Sequence, residues 1–209
     1  PAWTHQTEYA REILHILEEK GEFGEDPAKF RQLKGLVLRG ELRDAAHALG
    51  VSGDQVTILD LPFYEKGRYR RFKAGDDDLA AVKQLLQDFK PHQIYATGDA
   101  ADPSSVSAIT FRIIESALRA CEFEEWSGSC SFWVYRGKER PLEPHEIDMA
   151  VPMSPVQIER KARALSRYAA LSSLEKDAPE SNRQNARNYD SLGLAEYEAI
   201  ESFHRWKRS

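Results

Sequence analysis

The feature that most constrains the fold is the alternation of short apolar segments with stretches of helical periodicity in the middle of the chain. Strands are predicted at Val56–Leu61, Ile94–Thr97 and Ser131–Tyr135. The stretches between them, 76–89 and 104–120, place apolar residues at helical spacing. Such alternation is typical of a parallel sheet with helices on both faces. The sequence therefore predicts an α/β fold, a Rossmann-like layered and mostly parallel sheet.

The flanking segments extend this pattern in both directions. Helices are predicted over 5–20 and 27–49, a short strand over 148–153, a helix over 154–171, a polar loop over 172–182 and a last helix over 183–192. Two helical stretches precede the first strand, whereas a doubly wound domain usually begins with a strand. We therefore expect one domain over residues 1–209 that is N-terminally incomplete and lacks its first strands.

Composition limits the class of protein. The net charge of −5 excludes a broad basic surface for nucleic acid, so no nucleic-acid partner is expected. The chain has no apolar run near the ~20 residues that span a bilayer, and no membrane partner is expected. Two cysteines are too few for a disulfide framework. Together with the lack of a signal peptide in this sequence, these features predict a cytoplasmic protein.

One segment has the position of a ligand site. Residues 98–107, Gly-Asp-Ala-Ala-Asp-Pro-Ser-Ser-Val-Ser, follow the predicted strand Ile94–Thr97 and open a helix. Ligands of open α/β sheets bind at such strand ends, and N–H groups at a helix N-terminus attract anions. Asp99, Asp102 and Ser104 are therefore predicted to contact a substrate. The alternative is that Asp99 and Asp102 only form a turn and a helix cap, and that Ser104, Ser105 and Ser107 only cap the helix.

A basic loop is predicted to lie near the same strand ends. Arg68, Arg70 and Arg71 alternate with aromatic residues between positions 62 and 75. This pattern is shared by nucleic-acid patches, but the acidic chain and the shortness of the run favour an ordinary solvated loop. The three arginines complete the predicted substrate site.

Longer strings resemble one known family. Residues 40–46 with 49–50, 59–65 and 90–99 are similar to the LmbE-like (PIG-L) N-acetylglucosaminyl deacetylases. Residues 147–155 and 193–201 are more similar to the version of this domain that is fused to glucosamine-6-phosphate deaminase in some bacteria. The resemblance covers about residues 27–206 and implies the layered α/β fold described above. It also implies that the basic loop lies near the sugar-binding face, so an anionic sugar is the better functional expectation there than nucleic acid.

The resemblance implies zinc chemistry that this sequence does not support. Family members hold zinc with a His-Pro-Asp-Asp motif and a His-x-x-His motif, and another His lies on a late helix. The first motif is absent here, the His-x-x-His positions are Ser104 and Ser107, and the late-helix position is Tyr168. Hydroxyl groups are poor zinc ligands. We therefore assign no catalytic or metal-binding residue and expect no cofactor in this chain, although zinc serves the family.

Two functions remain open. The first is a non-catalytic LmbE-like domain of amino-sugar metabolism that serves as a structural, regulatory or sugar-binding module. The alternative is a zinc-dependent hydrolase that removes N-acetyl groups from N-acetylglucosamine-type substrates, with ligands supplied by a missing N-terminal segment. Expected partners are an amino-sugar or phosphosugar ligand and a fused or associated deaminase domain. Self-association is expected too, because an unpaired sheet edge tends to pair with other chains.

Overall fold

The computed structural model describes residues 2–20, 27–67, 73–98, 103–137, 140–168, 174–194 and 197–207. These residues form seven α-helices and four strands. The chain divides into two compact units, Pro1–Val56 with Arg163–Ser172 and Thr57–Ala162 with Ser173–Ser209. The expectation of a single domain over residues 1–209 stays a prediction.

The first unit contains two long helices, as the sequence predicts. They are α1 (Ala2–Lys20) and α2 (Ala28–Ala48). An ion pair between Lys29 and Glu12 joins them. After α2, Gly50 adopts a φ of 88°, a left-handed conformation that favours glycine and ends the helix.

The second unit carries the sheet, and most of its elements agree with the sequence pattern. Its helices and strands are α3 (Pro62–Gly67), α4 (Asp76–Phe89), β1 (Gln93–Thr97), α5 (Val106–Ala120), β2 (Ser131–Tyr135), β3 (Met149–Met153), α7 (Leu174–Ser191) and β4 (Ala199–Arg205). Helix α6 (Pro155–Leu165) crosses the boundary between the units. Predictions for α4, β1, α5, β2 and β3 are confirmed to within two residues. None of the described helices is long and apolar enough to cross a membrane.

The sheet has the strand order β1-β2-β4-β3. β1 and β2 are parallel, and their register runs from Gln93 opposite Ser131 to Thr97 opposite Tyr135. β4 is antiparallel to both β2 and β3. The prediction of a mostly parallel sheet is therefore wrong for the described strands, since one pairing of three is parallel. The reason is β4, which the sequence pattern did not identify and which inserts between β2 and β3 in the opposite direction.

The core of this unit lies on one face of β1 and β2. Ala96 of β1 and Phe132 and Val134 of β2 alternate toward this face, as residues two apart do in a strand. α4 and α5 pack there through residues at helical spacing, which are Val82, Leu86, Ile109, Ile113 and Ala117. This packing fixes the carboxyl ends of the strands relative to the N-terminus of α5.

Residues 56–61, predicted as a strand, are not one in the structure. Leu59 and Leu61 pack against the core, which accounts for the apolar pattern. Asp60 lies between them with a φ of 48°, a left-handed conformation that interrupts an extended backbone. Burial here therefore occurs without a ladder of strand hydrogen bonds among the described residues.

The predicted loop over 172–182 is wrong in its described part, because α7 begins at Leu174. The surface of α7 is polar, and the buried face of this helix includes Asn182 and Ala186, which are four residues apart. That narrow face packs on β4. Because most of its side chains are polar, hydrophobic periodicity did not reveal the helix. α6 ends at Leu165 rather than near residue 171.

Candidate functional site at the carboxyl ends of β1 and β2

The two parallel strands end side by side. Gly98, the residue after β1, donates its N–H to the carbonyl oxygen of Tyr135 at 2.8 Å. A Cβ atom at position 98 would lie 1.9 Å from Cγ1 of Val134, so only glycine fits. The chain therefore leaves β1 in close contact with β2, at the edge where ligands of parallel strands bind.

The N-terminus of α5 is capped by a serine at the predicted position. Ser105 has extended backbone angles, and its Oγ accepts a hydrogen bond from the N–H of Ala108 at 3.2 Å. Nη2 of Arg112 donates to the carbonyl of Pro103 at 2.7 Å and so holds the preceding turn. The capping alternative is confirmed for Ser105. The neighbouring Ser104 is exposed, and Ser107 is half-buried in the first turn of the helix.

The structure describes one of the six predicted substrate contacts, Ser104. The others lie outside the described residues and stay predictions; they are Asp99, Asp102, Arg68, Arg70 and Arg71. Tyr168, at the late-helix position of the resemblance, lies beyond the end of α6 in the first unit. Burial, and secondarily the negative charge of Glu41, raises the pKa of Tyr168.

A buried carboxylate, which the sequence pattern did not single out, holds both ends of the basic loop. Oδ1 of Asp78 accepts the N–H of Phe63 at 2.8 Å, and Oδ2 accepts the N–H of Gly75 at 2.8 Å. The available signal was its spacing, because Asp78 lies four and eight residues before Val82 and Leu86 on the buried face of α4. Asp78 therefore joins the described residues that precede and follow positions 68–72.

A polar network lies beside the end of β2. Nζ of Lys161 donates to Oε1 of Glu201 at 2.5 Å and to Oδ1 of Asn182 at 2.9 Å. Nδ2 of Asn182 donates to the carbonyl of Ile200 at 2.8 Å. Burial, and secondarily the charge of Glu201, raises the pKa of Tyr135 and favours its neutral hydroxyl. A neutral hydroxyl with a Lys–Glu pair supplies donors and acceptors suited to a polyhydroxylated ligand.

The described part of this region does not fit a zinc site. Ser104, Ser107 and Tyr135 offer hydroxyl groups, which are poor ligands compared with imidazole, thiolate or carboxylate. Among the described residues of the whole chain, no three His, Cys, Asp or Glu side chains lie close enough together to hold a metal ion. The described hydroxyl groups can donate and accept hydrogen bonds to a ligand.

The chain is similar to one curated bacterial protein over most of its length. It is 36% identical over 205 residues to a glucosamine-6-phosphate deaminase-like protein of Bacteroides thetaiotaomicron. The match covers 92% of this chain and 31% of the relative, so the chain spans about a third of the length of that protein. No protein-family model matches the chain.

Two solved structures share the fold. GalB, the 4-carboxy-2-hydroxymuconate hydratase of Pseudomonas putida, matches with a TM-score of 0.64 and 16% identity over 92% of this chain and 79% of that chain. A conserved protein of Thermus thermophilus matches with a TM-score of 0.57 and 16% identity over 83% and 78% of the two chains. At this identity the likeness concerns the fold alone, which is mixed α/β.

Proposed function

We propose that this chain is an LmbE-like domain of amino-sugar metabolism that binds an amino sugar or its phosphate without hydrolysing it. The named relative supports the amino-sugar connection, because it is described as deaminase-like and matches 92% of the chain. The domain works in the cytoplasm beside a deaminase domain, and it requires no cofactor of its own.

The observation that carries the non-catalytic part is the use of serines at the start of α5. Ser105 Oγ is engaged by the N–H of Ala108 as a helix cap. Ser104 and Ser107 stand where the resemblance calls for zinc-binding histidines. Hydroxyl groups at these positions leave a water molecule without the metal that would activate it.

The binding part of the proposal rests on the same strand ends. The N–H groups of the first turn of α5 favour a negatively charged ligand group. Tyr135 and the Lys161–Glu201 pair supply hydrogen-bonding groups beside the end of β2. Asp99, Asp102, Ser104 and the Arg68–Arg71 segment are proposed to contact the ligand, the arginines through a phosphate.

Metal analysis tests this proposal against the zinc-hydrolase alternative. The chain is incubated with excess zinc, dialysed and analysed for bound metal by elemental analysis. We expect well under one zinc per chain. A stoichiometric, tetrahedrally coordinated zinc would overturn the non-catalytic proposal and favour the hydrolase. As a check on the mapped residues, Ser107→Ala should leave the zinc content unchanged, since the serine hydroxyl is not proposed to bind metal.

A further inference from the structure

A cavity of about 310 Å³ lies at the other end of β2, away from the site described above. Ser131 begins β2 and Tyr135 ends it, which separates the two regions by roughly 13 Å along the strand. The end of β4 contributes Arg205 to its lining, which also includes Ser127, Gly128, Ser131, Phe132, Trp206 and Lys207.

The apolar wall of the cavity is held by the backbone. Trp206 donates its N–H to the carbonyl of Phe132 at 2.9 Å, which fixes the chain after β4 against β2. The rings of Phe132 and Trp206 lie 5.5 Å apart at 55°. The guanidinium of Arg119 lies 5.7 Å from the Trp206 ring and contacts it as a cation–π pair. This ring is therefore positioned before any ligand binds.

The charged groups that line the cavity are both cations. Arg205 and Lys207 are exposed residues of its lining, and no carboxylate is among the described residues that line it, although the chain as a whole has a net charge of −5. The Arg205 guanidinium makes a long hydrogen bond to Ser131 Oγ, at 3.4 Å. The nearby Asp148 carboxylate instead accepts the backbone N–H of Arg205 at 2.7 Å and lies 2.9 Å from His204 Nδ1. The cationic side chains therefore remain able to bind an anion.

We propose that this cavity binds a monosaccharide phosphate, as a second ligand site separate from the one at the carboxyl ends of β1 and β2. Arg205 and Lys207 bind the phosphate, because guanidinium and ammonium groups form charge-assisted hydrogen bonds with phosphate oxygens. The part of the Trp206 ring that Arg119 and Phe132 leave open packs on the carbon skeleton, and the Ser127 and Ser131 hydroxyls bond to sugar hydroxyls. The volume is at the small end of the range for small-molecule sites.

Calorimetric titration of the whole chain with glucosamine 6-phosphate, at near-physiological ionic strength, tests the proposal. Arg205→Gln and Lys207→Gln are each expected to weaken binding by about tenfold, since each removes a charge-assisted contact. Arg140→Gln is the matched control, because it removes the same charge from the chain after Tyr135, at the opposite end of β2 from the cavity, and should leave the affinity unchanged. An equal loss of affinity in this variant would mean that general charge attraction explains the effect, and it would overturn the proposal.

Backbone amide shifts distinguish this site from the proposed function. If glucosamine 6-phosphate binds in the cavity, we expect the backbone amide signals of Gly128, Ser131 and Lys207 to shift. Shifts confined to Gly98 and Ser104 would overturn the cavity proposal and leave the proposed function standing. Shifts confined to the cavity would support the cavity and contradict the binding part of the proposed function.

Two further probes test the ligand class. Glucosamine alone should bind at least about tenfold more weakly than its phosphate, because it lacks the anion that Arg205 and Lys207 bind. Inorganic phosphate should also bind more weakly, because it makes no contact with Trp206. If inorganic phosphate bound as tightly as the sugar phosphate, the sugar part of the proposal would be wrong.

Discussion

Oδ1 of Asp78 accepts a hydrogen bond from the N–H of Phe63 at 2.8 Å, across 15 residues of chain. The other oxygen of the same carboxylate accepts the N–H of Gly75 at 2.8 Å. Asp78 is 2% exposed; its bond to Phe63 is buried, and its bond to Gly75 is partly buried. One side chain thus anchors both ends of the segment that contains Arg68, Arg70 and Arg71.

Asp78→Asn should destabilise the protein by about 2–3 kcal/mol. The amide replaces one carboxylate oxygen by an NH₂ group, which leaves a buried backbone N–H facing a second donor. Asp77→Asn, the neighbouring and exposed position in the same helical turn, should change the stability by less than about 0.5 kcal/mol. Urea unfolding of both variants provides the measurement. Equal effects would mean that the carboxylate does not hold the loop.

Ser105→Ala should cost about 1 kcal/mol of stability, because the N–H of Ala108 loses its capping acceptor. Ser116→Ala, at an exposed position inside the same helix, should be neutral or slightly stabilising, since alanine has the higher helix propensity. Thermal unfolding distinguishes the two. A Ser105→Ala variant as stable as the parent chain would contradict the assigned cap.

Asn182→Ala should destabilise the second unit by about 2–3 kcal/mol. Asn182 is 7% exposed, and its loss leaves the carbonyl of Ile200 and the ammonium of Lys161 without their amide partner. Asn188→Ala removes an exposed amide from the same helix and should cost less than about 1 kcal/mol. The denaturant concentrations at the unfolding midpoints of the two variants measure this difference in stability. A smaller effect at position 182 than at 188 would contradict the buried network.

The raised pKa of Tyr135 predicts that the folded chain loses stability at alkaline pH. Its pKa in the folded chain is raised above the ordinary value of 10.0, first by burial and then by Glu201. The folded state therefore favours the neutral hydroxyl. This contribution is fully present below the unfolded pKa and is lost as the pH rises through the folded pKa. Tyr135→Phe should flatten the dependence of unfolding free energy on pH above about pH 10, and an unchanged slope would contradict the assignment.

Self-association is predicted from an apolar run on α2. Leu36, Val37 and Leu38 are consecutive and 63%, 50% and 39% exposed. A contiguous exposed apolar run favours association more than single apolar residues do. Sedimentation should show mass rising with concentration, and Leu36→Lys should reduce that rise. Phe89→Lys removes an apolar side chain that is 69% exposed elsewhere and should have the smaller effect. A monomer at all concentrations would contradict the prediction.

The sequence predicted elements well where apolar spacing and burial coincide. Asp76–Phe89 is an example, since Val82 and Leu86 lie on its buried face. The pattern failed at 56–61 because burial of Leu59 and Leu61 does not require strand pairing, and Asp60 turns the backbone between them. β4 was missed because its place in the sheet depends on contacts with β2 and β3, which are distant in sequence.

The sequence predicted where the candidate site lies better than it predicted which residues form it. Strand Gln93–Thr97 and the cap at Ser105 were indicated by local residue types, so the strand end and the helix N-terminus could be placed. The Lys161–Asn182–Glu201 network was not predictable, because its members come from three elements that only the fold brings together. The cavity beside Trp206 was missed for the same reason.

Under the proposed function, the chain binds an amino-sugar ligand and does not hydrolyse it. A proton NMR measurement of N-acetylglucosamine 6-phosphate with the whole chain and added zinc tests both parts. We expect saturation transfer from the protein to the sugar protons and no acetate above a protein-free zinc control. Acetate that accumulates with time in proportion to protein concentration would contradict it.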